Sequence, residues 1–250
     1  MMRAFLAVAA CLLISAARAE PLVVMLSLPM PAGTGRLVLP DGAGAATPLV
    51  IMLPDTLGED LRTDPYVDSL LARGIASLVL GFDDGVETQG TLHDAATSAD
   101  AAIVALGWAS AAGPAGLRVG LIGFGAGGRA ALRSGGVAVA VAALYPGCVE
   151  LDLPPEGEAL ILQGAAVAGG CDALLLPPGV VLRLLPGAGH AWDAQGIAPM
   201  LPDPAGADRI RATPDHETTL LAAEALADWF EARLAPPERH AARRTARGRP

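Results

Sequence analysis

From residue 22 onward the chain alternates between short runs that are apolar at nearly every position and longer segments whose apolar residues recur with helical spacing. Residues 22–28 and 36–39 predict two leading strands. The runs at 48–53 (PLVIML), 75–80 (IASLVL), 117–124 (LRVGLIGF), 137–147, 159–164 and 180–187 have strand length and few polar interruptions. Between them, 64–74, 91–110, a short stretch within 125–135 and 216–234 read as helices, the last amphipathic and closing the domain. A half-exposed strand would alternate, so strands apolar on both sides imply a sheet covered on both faces. Their regular exchange with helices implies that the sheet is mostly parallel. The predicted class is therefore α/β, with a parallel central sheet between two helical layers. No internal repeat interrupts the pattern.

Composition refines this picture. The chain has 250 residues, 52% of them hydrophobic, which suffices for one sizeable domain, placed at 20–235. The first 19 residues, with Arg3, an apolar stretch from Phe5 to Ala17 and the small-x-small site Ala17-Arg18-Ala19, read as a secretory signal. A periplasmic or secreted protein is expected. Residues 236–250 carry five arginines and no core residues, and read as a disordered basic tail. No other apolar run approaches the ~20 residues of a membrane span. The formal net charge of −9 argues against nucleic acid as a partner. After removal of the signal Cys148 and Cys171 remain, and an oxidising compartment favours a disulfide between them over two buried thiols.

The segment 121–132, LIGFGAGGRAAL, carries the candidate chemistry. Strand, glycine turn and helix fit two templates. One is the dinucleotide fingerprint, matched by Gly123, Gly125 and Gly128. It requires an acidic residue at the end of the next strand, and Tyr145-Pro146-Gly147 stand there instead. No cofactor and no metal are expected. The other template is the nucleophile elbow, G-x-S-x-G. Gly123 and Gly127 supply the small residues that the close approach of strand and helix requires, and Gly125 stands where the nucleophile would be. Glycine keeps the strained turn and discards the hydroxyl.

IGFGAGGRAAL, ALYPGC, LILQGAAVAGGC and LPGAGHAWD, in this order between residues 48 and 234, resemble the dienelactone hydrolase branch of the α/β-hydrolase fold. The resemblance implies a Cys or Ser nucleophile at the elbow, an Asp after a later strand and a His near the end. The nucleophile position falls on Gly125 and the acid position on Val167, both vacant; the base position falls on His190, which is present. The family's His-Gly beside the oxyanion hole falls on Pro54-Asp55. Asp55, Ala126 and Cys148 are candidate pocket residues. Asp152 or Glu150 could replace the acid, Asp55 could contact His190, and Cys148 could act as a nucleophile only if it is not bridged. Ser134 lies at the far end of the elbow helix. Trp108 and Trp192 read as packing residues, Asp83 and Asp84 as turn residues on the crevice side.

Triad residues act as a unit, so losing the nucleophile removes most of the acceleration. The expectation is a catalytically degenerate hydrolase with a binding or scaffold role, its ligand, if any, a small ester or lactone. The alternative is an active ester or dienelactone-type hydrolase with rearranged residues around His190. A Ser, Cys or Asp atom in hydrogen-bond contact with His190 would favour the alternative.

Overall fold

The structure is a computed structural model that describes residues 20–56, 61–81, 95–154, 156–195, 199–206 and 208–235. The stretch read as a signal at 1–19, the stretch read as a tail at 236–250, and Asp83 and Asp84 lie outside the described residues. The strands are β1 (Leu22–Ser27), β2 (Thr34–Leu39), β3 (Leu49–Leu53), β4 (Ala76–Leu80), β5 (Val119–Phe124), β6 (Ala140–Leu144), β7 (Ala159–Gly164) and β8 (Val180–Leu185). They form one sheet in the order β1-β2-β4-β3-β5-β6-β7-β8. Pairing is antiparallel from β1 to β4 and parallel from β4 to β8. The helices are α1 (Asp64–Ala72), α2 (Ala95–Ala112), α3 (Ala126–Arg133) and α4 (His216–Leu234).

The continuous apolar runs have the two-sided burial expected of them. Every residue of β3 through β7 is buried. Successive side chains of β3 go to opposite layers. Val50 and Met52 join a core with Tyr66, Leu70, Leu226 and Phe230 from α1 and α4. Leu49, Ile51 and Leu53 join a second core with Ala101, Ala105 and Ala130 from α2 and α3. The alanines of α2 let it lie close against its neighbours.

Several boundaries differ from expectation. The run at 137–147 yields a strand only over Ala140–Leu144, because Gly135–Val137 turns as a 3₁₀ segment. The strand expected at 117–124 begins at Val119, and the one expected to Gly187 stops at Leu185. A short antiparallel pair, β9 (Met200–Pro202) with β10 (Arg209–Arg211), follows β8 and was not expected. Three residues per strand carry no periodic signal.

Candidate functional site

The parallel strands all deliver their carboxyl ends to one edge of the sheet, the side where α/β folds place ligands. Gly125 ends β5 there and caps α3, with φ 52° and ψ −115°, an arrangement that L side chains rarely adopt. Its N–H donates to the carbonyl of Leu144 at the end of β6. The flanking glycines are sterically required. A Cβ at Gly127 would meet the Leu53 carbonyl oxygen at 2.6 Å, and one at Gly123 would stand 2.5 Å from the Gly128 nitrogen. Strand, strained turn and helix thus form an elbow, without a nucleophile on it.

The space of the missing side chain is filled by Asp55, two residues beyond β3. A Cβ built on Gly125 would stand 2.6 Å from the Asp55 carboxyl carbon and 2.8 Å from Oδ2, with Oδ1 closer still. Oδ1 accepts from the Thr56 N–H at 2.8 Å and from the Ala126 N–H at 3.2 Å. The Ala126 N–H lies in the first turn of α3, where the helix dipole favours a negative charge. Arg62 lies 3.5 Å from Oδ2, and both side chains are almost completely buried. A buried carboxylate is stable only when paired and hydrogen-bonded, and these groups meet that need. Asp55 therefore holds the two backbone N–H groups that, in an active elbow, would face a substrate oxyanion.

His190 follows β8 on the same edge. Its backbone bridges to Ala212, and its carbonyl accepts from Thr213 N–H at 2.8 Å. The imidazole is 2% exposed. Burial holds its pKa below the ordinary value; the nearby Arg62 acts in the same direction, while Asp55 and Asp203 oppose them. Nε2 is buried and has no hydrogen-bond partner among the described residues. Tyr145 packs edge-on against the imidazole with ring centroids 5.0 Å apart. Its hydroxyl donates to Asp193 at 2.8 Å, Tyr66 donates to the other oxygen of Asp193 at 2.7 Å, and the Trp192 indole donates to Tyr66 at 3.1 Å. Both phenols are pushed well above their ordinary range by burial, with the Asp193 charge adding to the effect.

The remaining candidates divide clearly. Val167 lies in a 3₁₀ turn after β7, and its carbonyl accepts from Gln163 at 3.2 Å; its side chain offers nothing to an imidazole. Cys148 and Cys171 are bridged, so Cys148 is not a nucleophile. Asp152 pairs with Arg133 in an exposed position. Glu150 is exposed as well, and neither replaces a buried orienting acid. Ser134 caps the far end of α3. Trp192 is a core residue, and Trp108 is half-buried against the α2–α3 core. The hydrogen bonds of Asp55 go to Thr56, Ala126 and Arg62, and it bears on His190 only through its charge. Arg62, Asp203 and Asp193 escaped the sequence reading, because a lone charged residue between regular elements carries no pattern; Tyr66 escaped it because on α1 it reads as one more core position. A cavity of about 560 Å³ lies elsewhere, between the Pro40–Pro48 segment, Arg73 and Glu231, and none of these site residues lines it.

No protein-family model matches the sequence. No curated protein matches it either. Solved structures do match. Dienelactone hydrolase from Anabaena variabilis is 21% identical, with a TM-score of 0.65 over 87% of this chain and 100% of that one. A putative dienelactone hydrolase from Klebsiella pneumoniae is 16% identical, with a TM-score of 0.61 over 85% and 99%. The dienelactone hydrolase-like promiscuous phosphotriesterase P91 from metagenomic libraries is 16% identical, with a TM-score of 0.58 over 86% and 99%. The chain has the α/β-hydrolase fold that these structures share.

Proposed function

We propose that this chain is an exported, dienelactone-hydrolase-like protein in which acyl transfer at the elbow has been dismantled: a pseudo-hydrolase toward esters, with a binding or scaffold role. The observation that carries this reading is the Asp55 carboxylate lying where a Cβ on Gly125 would project. An elbow without a side chain cannot form an acyl-enzyme, and N–H groups already bonded to Asp55 are not available to an incoming carbonyl oxygen. The bridged cysteines support an oxidising compartment, in keeping with the signal read at 1–19.

The reading is tested by hydrolysis of p-nitrophenyl acetate with the purified protein, beside His190→Ala and the pair Asp55→Gly/Gly125→Ser. The wild type is expected to run at the rate of the buffer, unchanged in His190→Ala. Wild-type turnover that disappears in His190→Ala would overturn the proposal. Activity gained in the paired variant would locate the loss at the elbow.

A further inference from the structure

We infer that the cavity between the Pro40–Pro48 segment and the end of α4 is a docking groove for the chain's own residues 236–250. Pro48 precedes β3, and Gly74 and Ile75 precede β4, so the groove lies at the amino ends of the parallel strands. Gly125 and Asp55 lie at the opposite, carboxyl ends, and the groove is independent of them.

The groove exists because its wall is made of small residues. Residues 41–46 read D-G-A-G-A-A, are exposed throughout, and carry no apolar side chain larger than a methyl group. The segment is nevertheless held by its own backbone. The Ala43 N–H donates to the Pro40 carbonyl at 3.1 Å, the Thr47 N–H to the Gly44 carbonyl at 2.9 Å, and the Gly44 N–H to Thr47 Oγ1 at 2.8 Å. A fixed loop with almost no side chains leaves the space of about 560 Å³ between itself and α4 unfilled. Beyond Ala43, Gly44 and Ala45 lies a second space of about 450 Å³, floored by Leu39, Trp108 and Leu117. Spaces of a few hundred cubic ångström have the size of small-ligand sites, and take a short extended segment rather than a folded domain.

The chain itself leads into this groove. Leu234 is buried and anchors the end of α4. Ala235 lines the cavity with φ −61° and ψ 141°, the polyproline conformation. Pro236 and Pro237 follow, and a proline favours the same conformation in itself and in the residue before it. Charge fits as well. Residues 236–250 contain five arginines and one glutamate. Glu217, Glu224, Asp228 and Glu231 recur along one face of α4 and end at the groove, while Asp41 stands exposed on the facing wall. Glu224 and Asp228, whose side chains are 61% and 69% exposed, share the guanidinium of Arg73. Tethering decides the occupant. A segment bonded directly to the groove wall has an effective concentration in roughly the millimolar range, so weak contacts hold it there against a second copy or a free basic peptide at micromolar concentration.

The test is disulfide formation in the full chain carrying Ala45→Cys/Ala242→Cys, in a glutathione buffer. Cys148 and Cys171 are bridged and buried, so the new pair reacts alone. At about 20 mM salt a bond within one chain should form about tenfold faster than in Leu175→Cys/Ala242→Cys, where position 175 is 92% exposed but outside the groove. About 1 M salt, which screens charges beyond ~3 Å, should remove most of that advantage. Adding Asp41→Asn/Glu224→Gln/Asp228→Gln should do the same at low salt. Equal rates for the two cysteine pairs would overturn the inference. So would an advantage at position 45 that survives both high salt and the neutralised carboxylates, since proximity along the chain alone would then explain it. Disulfide-linked dimers in place of the intramolecular bond would give the groove to another copy's segment and overturn it too. Trypsin supplies a readout without new cysteines: Arg243 and Arg244 should be cut about tenfold faster once the three carboxylates are neutralised, and equal cutting would count against docking. The p-nitrophenyl acetate assay reads the other edge of the sheet, so the two proposals fail separately.

Discussion

A serine restored at position 125 would have to share its space with Asp55. Its Cβ would stand 2.6 Å from the carboxyl carbon, so the carboxylate would have to swing away and release the Thr56 and Ala126 N–H groups. Bonds to a charged acceptor are each worth about 1.5–3 kcal/mol, so Gly125→Ser alone should lower the unfolding free energy by at least that much. A second contribution of about 1–3 kcal/mol comes from placing a side chain at φ 52°. The two causes are separable. Asp55→Gly removes the collision but not the backbone strain, so a double-mutant cycle in urea should give a favourable coupling of about 0.5–3 kcal/mol between Gly125→Ser and Asp55→Gly. Strictly additive effects would mean that the carboxylate does not occupy the position of the missing side chain.

At the scale of elements, the site edge is held by two connections. The disulfide ties Cys148, just past β6, to Cys171, after β7, across a sequence separation of 23 residues. Closing a loop of that length stabilises by about 3 kcal/mol through the unfolded chain, so Cys148→Ala/Cys171→Ala should lose about that amount in denaturant unfolding. The second connection is Asp193, which accepts from Tyr66 on α1 and Tyr145 after β6. Tyr66→Phe removes a donor to Asp193 and the acceptor of the Trp192 indole together, whereas Tyr145→Phe removes one donor. Tyr66→Phe should therefore be the more destabilising, by about 1–3 kcal/mol for the extra buried group left unpaired. Elements of this kind differ in how far the sequence reveals them. The runs that became β3 to β7 were legible because burial on both faces makes them apolar throughout, and α4 was legible by the helical spacing of its apolar residues, with Asp215 as its N-cap. The pair β9–β10 was not, being too short for periodicity. The elbow glycines could be read as a close approach of backbones, since no other residue fits. Asp55 could be placed near the site by its position after β3. That it reaches into the elbow and pairs with Arg62 depends on contacts between residues far apart in the chain, and no spacing rule encodes them.

The whole molecule carries the consequence of keeping a neutral imidazole inside it. Two apolar cores flank one sheet, and His190 is buried at its carboxyl edge against Tyr145. In the unfolded chain this side chain takes up a proton near pH 6.5 or so. In the folded protein burial delays that uptake to lower pH; the Asp55 and Asp203 charges lessen the delay and Arg62 adds to it, with the net direction downward. Above the unfolded value neither state binds the proton, and the stabilising difference is fully present. As the pH falls from there through the lower folded value, the unfolded state binds more protons, so global stability declines across that window and levels off beneath it. His190→Gln abolishes the titration. Urea midpoints measured at about pH 7.5 and about pH 5 should therefore fall more for the wild type than for His190→Gln, the difference isolating this one group from the carboxylates that titrate lower. An equal fall in both proteins would mean that the imidazole gains its proton as easily inside the fold as outside it. It would then be charged through the acid part of the range in spite of its burial, and the fold would gain no stability from keeping it neutral.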